Sequence, residues 1–233
     1  MSVQTEDRSG GVRTVLLDRA SKRNALNLMI VEALQDALTT APGPAVVLGS
    51  TDSSSFSAGA DLGLDDTGRA AVSESLYGLY LSMRSTPKIV IAAASGHAIG
   101  GGAQLLLASD IRIASPDLII QFMGPGHGLA VGAWGLPSLV GRGRAMDLCL
   151  SMRQVGSEEA LSIGLVDMVI DDPLEHAIEY AIGVSKLDHL AVAAVKNVIS
   201  AGESLDALRR EAQYNSTWDG AVPTRQRRSE QAK

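Results

Sequence analysis

The sequence predicts an α/β chain, and three observations predict it. Short β-branched and aliphatic runs alternate with stretches whose apolar residues recur at helical spacing. The order strand, strand, helix repeats before the chain turns mostly helical after Ser138. Aromatic residues make up only 3% of the 233 residues. Ala, Val, Leu and Ile must therefore build the core, which suits close-packed parallel strands and helices.

The elements follow in order. "VRTVLLD", Val12 to Asp18, has the β-branched character of a strand. In "NLMIVEALQDAL", Val31, Leu34 and Leu38 share one helical face. Ala45 to Leu48 reads as a short buried strand after a turn, and "SSSFSAGADLG" as a loop of small residues. Val72, Leu76, Leu79, Tyr80 and Met83 mark a second helix, which Pro87 stops. "KIVIAAAS" is a third strand, followed by Gly100 to Gly102 and a helix. "IRIAS" and "LIIQF" are strands parted by the turn at Ser115-Pro116-Asp117. In "GSEEALSIG", Ser157 is the expected N-cap and Gly164 the expected residue after the C-cap. "LVDMVI" is a short strand, and three helical stretches run from Leu174 to about Trp218. The charged tail "PTRQRRSEQAK" is expected to fray.

The composition narrows the function. A net charge of −6 argues against nucleic acid, because a phosphate backbone needs a positive field. An anionic small ligand would need a local basic spot. One cysteine, Cys149, excludes a disulfide framework and makes a reducing cytoplasm the expected compartment. The polar, acidic start "MSVQTEDRSGG" does not read as a signal peptide. Ile89 to Ala108 is long enough to span a membrane. It carries Ser95, His97, Gln104 and four glycines, and reads instead as strand, loop and helix, so no membrane partner is expected. No metal or other cofactor is expected.

Three consecutive glycines before an apolar run need a reason, because glycine is costly to order. From the glycines alone, a tight strand-to-helix turn and a ligand approaching the backbone both fit.

Five phrases together resemble the crotonase superfamily, the enoyl-CoA hydratase/isomerase family. They are "KRNALNLMIVEAL", "FSAGADL", "GHAIGGGAQLLLASDIRIAS", "SLVGRGRA" and "EALSIGLVD". They stand in family order and cover nearly the whole chain. The resemblance implies a crotonase-like spiral of β-β-α units over residues 1–173. It implies a C-terminal helical region, 174–233, that packs homotrimers, often paired into homohexamers. It implies an acyl-CoA thioester as ligand or substrate.

By the same resemblance, the N–H groups of Ala60 and Gly101 would form an oxyanion hole. Gly101 would open a helix, where the N–H has no intrahelical partner and the dipole adds positive potential. Side chains at these glycines are expected to crowd the ligand. Ala58, Gly59, Ala60, Asp61 and Leu62, continuing to Gly63, would line the path of the CoA moiety. Lys22 and Arg23 would either meet CoA phosphates or form a solvated loop pair. Gly63 stands where the family often has a lysine, which removes one phosphate contact.

The hydratases of the family activate water with two glutamates. Gln104 occupies the position of one, and Gly126 is the best match to the other. No Asp or Glu occurs from Ser75 to Ser109 or from Leu118 to Met146. An amide cannot take up a proton near neutral pH, so the resemblance implies a thioester-binding site without efficient hydratase chemistry. His127 is the one titratable group in the second segment, and reads either as a replaced catalytic base or as a pocket-lining loop residue. The rival reading is an active hydratase, isomerase, decarboxylase or thioesterase using His127 or water held by Gln104. His97 reads as a turn-shaping residue, and Asp61 and Asp110 as structural acceptors of loop N–H groups. Trp134, in an apolar loop with Met123, Leu129 and Val131, would cover an acyl chain or pack in the core. The layout "HGLAVGAW" before "SLVG" is similar to actinobacterial paralogues that lack the catalytic glutamates and are implied to deliver acyl-CoA to lipid synthesis.

Overall fold

The computed structural model describes residues 2–201 and 205–222. The frayed-tail expectation for residues 223–233 lies outside them. The chain opens with a hairpin, β1 Val3–Asp7 and β2 Arg13–Leu17. The polar start of the sequence conceals β1, because four of its five side chains are exposed. Helix α1, Leu28–Thr40, follows, and the Asn27 side chain caps it by accepting from Ile30 N–H at 3.0 Å. Then come β3 Ala45–Ser50, β4 Ser55–Ser57 and α2 Asp66–Ser85, and after them β5 Ile89–Ala94, β6 His97–Ile99 and α3 Gly101–Ala108. Thus β4 lies inside the stretch that reads as a loop of small residues, and β6 precedes the glycines. Both are three-residue strands, too short to show a period.

Strands β7 Ile111–Ala114 and β8 Ile119–Gln121 complete the repeat. Two helices follow, α4 Leu136–Val140 and α5 Arg142–Ser151. Next come β9 Val155–Gly156, α6 Ser157–Ser162 and β10 Met168–Val169. Ser157 is not the cap of α6. It is the first helical residue, Gly156 is the cap, and the Ser157 hydroxyl instead donates to Pro116 C=O at 2.6 Å. Gly164 adopts φ +79 after the C-cap Ile163, as expected. The chain ends in α7 Pro173–Ser185, α8 His189–Ala201 and α9 Leu205–Asn215.

The strands form two stacked sheets. One has the order β1-β2-β3-β5-β7-β10 and is parallel except at the β1 hairpin. The other has the order β4-β6-β8-β9 and is parallel except at β9. Alternation along β3 and β5 splits the core. Val46, Leu48, Val90, Ala92 and Ala94 face the layer shared with α1, α2 and α3. Ala45, Val47, Ile91 and Ala93 face Ala177 and Ala181 of α7. Helix α9 folds back onto α2. Residues 89–108 are β5, β6 and α3, and no described helix is long and apolar enough to cross a membrane.

Candidate functional site

The parallel pairing of β4 and β6 brings the ends of both strands together. After β4 the loop is laced to the start of α1. Leu26 N–H donates to Gly59 C=O at 2.7 Å, and Asp61 N–H to Leu26 C=O at 2.8 Å. These bonds straddle Ala60, whose own N–H has no protein acceptor among the described residues. After β6, Gly100 takes φ +53 and ψ −113, a conformation closed to L side chains, with its N–H on Gln121 C=O at 2.8 Å. Gly101 then opens α3, and its N–H also has no acceptor among the described residues. Gly59, at φ +85, brings the two segments into contact. A Cβ there would lie 2.7 Å from Ile99 O and 3.1 Å from Gly101 N.

Packing within the protein also requires glycine at two positions of the triplet. A Cβ on Gly101 would meet Leu76 Cδ1 at 3.1 Å and Tyr80 Oη at 3.4 Å. One on Gly102 would meet Ser57 O at 2.4 Å. Side chains at these positions would crowd the protein itself. Close packing of α3 on β4 and α2 is what aims the Gly101 N–H.

Both N–H groups border a cavity of about 240 Å³. Ala58, Gly59, Ala60, Leu62, Gly101 and Gln104 line one side, and Met123, His127, Leu129 and Val131 the other. The backbone site and His127 are thus brought together. Six other residues singled out in the sequence do not reach the wall. Lys22 and Arg23 are exposed beside the loop, where Arg23 C=O accepts from Ala58 N–H. The Asp61 carboxylate is taken by Arg19 Nη1 at 2.7 Å and Gly63 N–H at 2.9 Å. Gly126 packs against Met152 Sδ, with its N–H 3.2 Å from that sulfur. His97 is exposed, with Nδ1 3.3 Å from Ser54 O. Asp110 accepts from Val90 N–H and from Lys196 Nζ, which ties α8 to the sheet.

The floor of the cavity is a side-chain network. Gln104 is 3% exposed. Its Oε1 accepts from Trp134 Nε1–H at 2.8 Å and Gly132 N–H at 3.2 Å. Those donors fix the amide orientation, so its NH₂ is turned toward the Tyr77 hydroxyl, 3.5 Å away. Trp134 therefore anchors Gln104 and does not line the cavity. Behind Tyr77 stands Glu211 of α9, a residue the sequence reading did not single out. Its Oε1 accepts from Tyr77 O–H at 2.8 Å and Gly132 N–H at 3.1 Å, and its Oε2 from Trp134 N–H at 2.9 Å. Burial pushes the Glu211 carboxyl up to about 7, against the pull of these donors. Asn215, one turn further along α9, donates to Tyr77 Oη at 2.6 Å and exchanges hydrogen bonds with the Ala130 backbone. Asn215 and Trp218 close the cavity from the C-terminal side.

One signal in the sequence could have pointed to Glu211. In "LDALRREAQYN" the apolar Leu208 and Ala212 share a helical face with Glu211 and Asn215, which places a carboxylate on the packed side.

The fold and this geometry can be set beside known proteins. The family model described as enoyl-CoA hydratase/isomerase matches residues 7–231. A probable enoyl-CoA hydratase, echA6, of Mycobacterium tuberculosis is 36% identical over 195 residues, covering 81% of this chain and 79% of that one. The crystal structure of an enoyl-CoA hydratase from Thermoplasma volcanium is 31% identical with a TM-score of 0.78, covering 93% and 91% of the two chains. That of an enoyl-CoA hydratase from Bacillus halodurans is 25% identical with a TM-score of 0.83, covering 94% of each. The α/β architecture is the crotonase fold, and the chain belongs to the enoyl-CoA hydratase/isomerase family.

Proposed function

We propose that the protein binds a fatty acyl-CoA thioester and lacks efficient hydratase activity. The observation that carries this reading is the pair of unpartnered N–H groups, Ala60 and Gly101, at the wall of a largely apolar cavity. Pre-aimed donors of this kind stabilise a thioester oxygen as it gains charge. Lys22 and Arg23 stand exposed on the same loop system and are suited to CoA phosphates. Across the cavity Gln104 presents donors only, because its oxygen is committed to Trp134 and Gly132. It cannot take a proton from water.

The test compares butyryl-CoA with its thioether analogue S-butyl-CoA by calorimetry. Losing two hydrogen bonds to the oxygen should weaken binding by about tenfold or more. Equal affinities would remove the oxyanion-hole assignment. Crotonyl-CoA absorbance should fall at well under about 1 turnover per second.

A second reading is favoured by His127. Its ring borders the cavity, and its Nδ1 is buried with no partner. Burial and the charge of Arg69 hold its pKa below the usual value, so it is neutral and able to act as a base at pH 7. Substantial turnover on any CoA ester, lost in His127→Asn, would establish this reading in place of the first.

The protein is also proposed to act as a homotrimer or a pair of trimers in the cytoplasm. Helix α8 supports this assembly, with Leu190, Val195, Val198 and Ile199 exposed along it beside a groove of about 600 Å³. A monomer by light scattering at micromolar concentration would exclude the assembly.

A further inference from the structure

We infer that Glu211 is a positioning residue: acting through the Tyr77 hydroxyl, it sets which hydrogen-bond donors Gln104 offers to the cavity. The inference rests on the acyl-CoA reading for its ligand, though not for its geometry.

The argument is an accounting of lone pairs. A tyrosine hydroxyl has one proton and two acceptor sites. Four groups surround that of Tyr77. They are Glu211 Oε1 at 2.8 Å, Ala130 O at 3.1 Å, Asn215 Nδ2 at 2.6 Å and Gln104 Nε2 at 3.5 Å. When Glu211 is ionised, the Tyr77 proton points at its carboxylate. Both Tyr77 lone pairs are then free to accept, one from Asn215 and one from Gln104. When Glu211 is protonated, its O–H must point at Tyr77 Oη. Its other neighbours, the N–H groups of Gly132 and Trp134, are themselves donors. The Tyr77 proton swings to Ala130 O. One lone pair now holds the Glu211 proton and the other holds Asn215, the shorter of the two amide contacts. The Gln104 N–H is displaced. Its amide cannot turn over, because Trp134 Nε1–H and Gly132 N–H still hold its oxygen. The released N–H is available to an acceptor in the cavity, next to the carbon chain of a thioester held at Ala60 and Gly101.

The switch falls in an accessible pH range, since burial places the Glu211 carboxyl at about 7. The tyrosines, the cysteine and the histidine that face it are all displaced away from that range. Tyr77 and Tyr80 of α2 are pushed well above their usual range by burial and by Glu211 itself. Cys149 of α5 is raised to about 11 by the same two causes. His127, across the cavity, is held below its usual value. The other charged residues of α2 are Asp66, Arg69, Glu74 and Arg84, and those of α9 are Asp206, Arg209 and Arg210. Glu74 is exposed at the surface beside Tyr77 and Asn215, Arg69 pairs with Asp66, Arg84 lies 3.9 Å from the Asp110 carboxylate, Arg209 pairs with Asp206, and Arg210 donates to the Asp206 backbone C=O.

The test uses 3-hydroxybutyryl-CoA, which carries an acceptor at C3, and butyryl-CoA, which does not. CoA phosphate titration cancels in the ratio of their affinities. The preference for the hydroxy ester should be at least about fivefold greater near pH 6 than near pH 8. Glu211→Gln places an amide N–H against Tyr77 Oη permanently, so it should show the low-pH preference at both pH values. Tyr77→Phe should show a flat profile. The side-chain amide resonance of Gln104 provides a ligand-free reading. It should titrate with a midpoint near 7 in the unmodified protein and in His127→Asn, but not in Glu211→Gln. A pH-independent preference, an unmoved Gln104 amide, or a normal profile in Glu211→Gln would overturn the inference. If the amide titrates as stated and neither ester binds, Glu211 retains its role and the acyl-CoA reading falls.

Discussion

On one side of the cavity the donors are backbone N–H groups, Ala60 and Gly101, held by β4, β6 and the first turn of α3. On the other side the polar groups are side chains of Tyr77, Gln104 and Glu211, drawn from α2, α3 and α9. The backbone side depends on conformation, with Gly59 and Gly100 at positive φ. Its two donors are backbone amides, which carry no exchangeable charge near neutral pH, and the neighbouring Asp61 carboxyl is held below its usual range. The side-chain side depends on proton count, because a buried carboxylate must find donors for its lone pairs. A site of this kind can hold a carbonyl oxygen rigidly while the opposite face changes its hydrogen-bonding character.

Four substitutions or titrations would break or sharpen that contrast. Gly59→Val should have the largest effect. It adds roughly 1–3 kcal/mol of backbone strain and places a side chain over the Gly101 N–H. Acyl-CoA binding should become unmeasurable by calorimetry at every pH. A folded variant with normal affinity would show that the backbone side is not the thioester site.

The pH dependence of stability probes the other side. The Glu211 carboxyl rises from 4.5 in the unfolded chain to about 7 in the folded protein. The folded state therefore binds this proton more tightly. The stabilisation is complete below 4.5 and is lost as pH rises through about 7. Relative to Glu211→Gln, the protein should lose roughly 3 kcal/mol between acidic and mildly alkaline conditions. Urea denaturation at a series of pH values measures the difference, and parallel curves would refute the assignment.

Gln104→Glu should not create a water-activating base. Its carboxylate would share the Gly132 N–H with Glu211, since that group lies 3.2 Å from Gln104 Oε1 and 3.1 Å from Glu211 Oε1. Two carboxylates so placed keep a proton between them. The variant should be roughly 1–3 kcal/mol less stable than the unmodified protein at alkaline pH, and crotonyl-CoA hydration should stay negligible. Efficient hydration would show that the network yields to a new charge.

Asp61→Asn should have the smallest effect. Burial opposes ionisation of Asp61, yet Arg19, the Gly63 N–H and Lys22 hold its carboxyl below the usual range. The carboxylate therefore stabilises the fold above its unfolded value of 3.8, and that contribution is lost as pH falls through the lower folded value. The variant should cost about 1 kcal/mol at neutral pH and leave the pH response of the Glu211 side unchanged. A thermal shift measured in parallel on both variants separates the two halves of the cavity.

The backbone half was largely legible in the chain. "SAGAD" and "IGGGAQ" were located by their resemblance to the family, and the positive φ at Gly59 and Gly100 is a local property that glycine permits. The faces of α1 and α2 were readable from their helical period, and β2, β3, β5, β7 and β8 from runs of aliphatic, β-branched residues. Strands β4 and β6 escaped because "SFS" and "HAI" are short and lie among small and polar residues, with no aliphatic run to mark them. β1 escaped because its side chains face water.

The sequence by itself determined the strand-strand-helix order, the run of glycines before a helix, and the lack of an acid in the segments around Gln104 and His127. Only the tertiary structure decided that a carboxylate stands behind Gln104 all the same. Glu211 is 107 residues away along the chain, and reaches the site because α9 packs on α2. Likewise the orientation of the Gln104 amide follows from Trp134 and Gly132, 30 and 28 residues on. Local conformation is written in neighbouring residues. The satisfaction of a buried polar group is a property of whichever distant groups the packed helices bring within about 3 Å, and no stretch of sequence contains it.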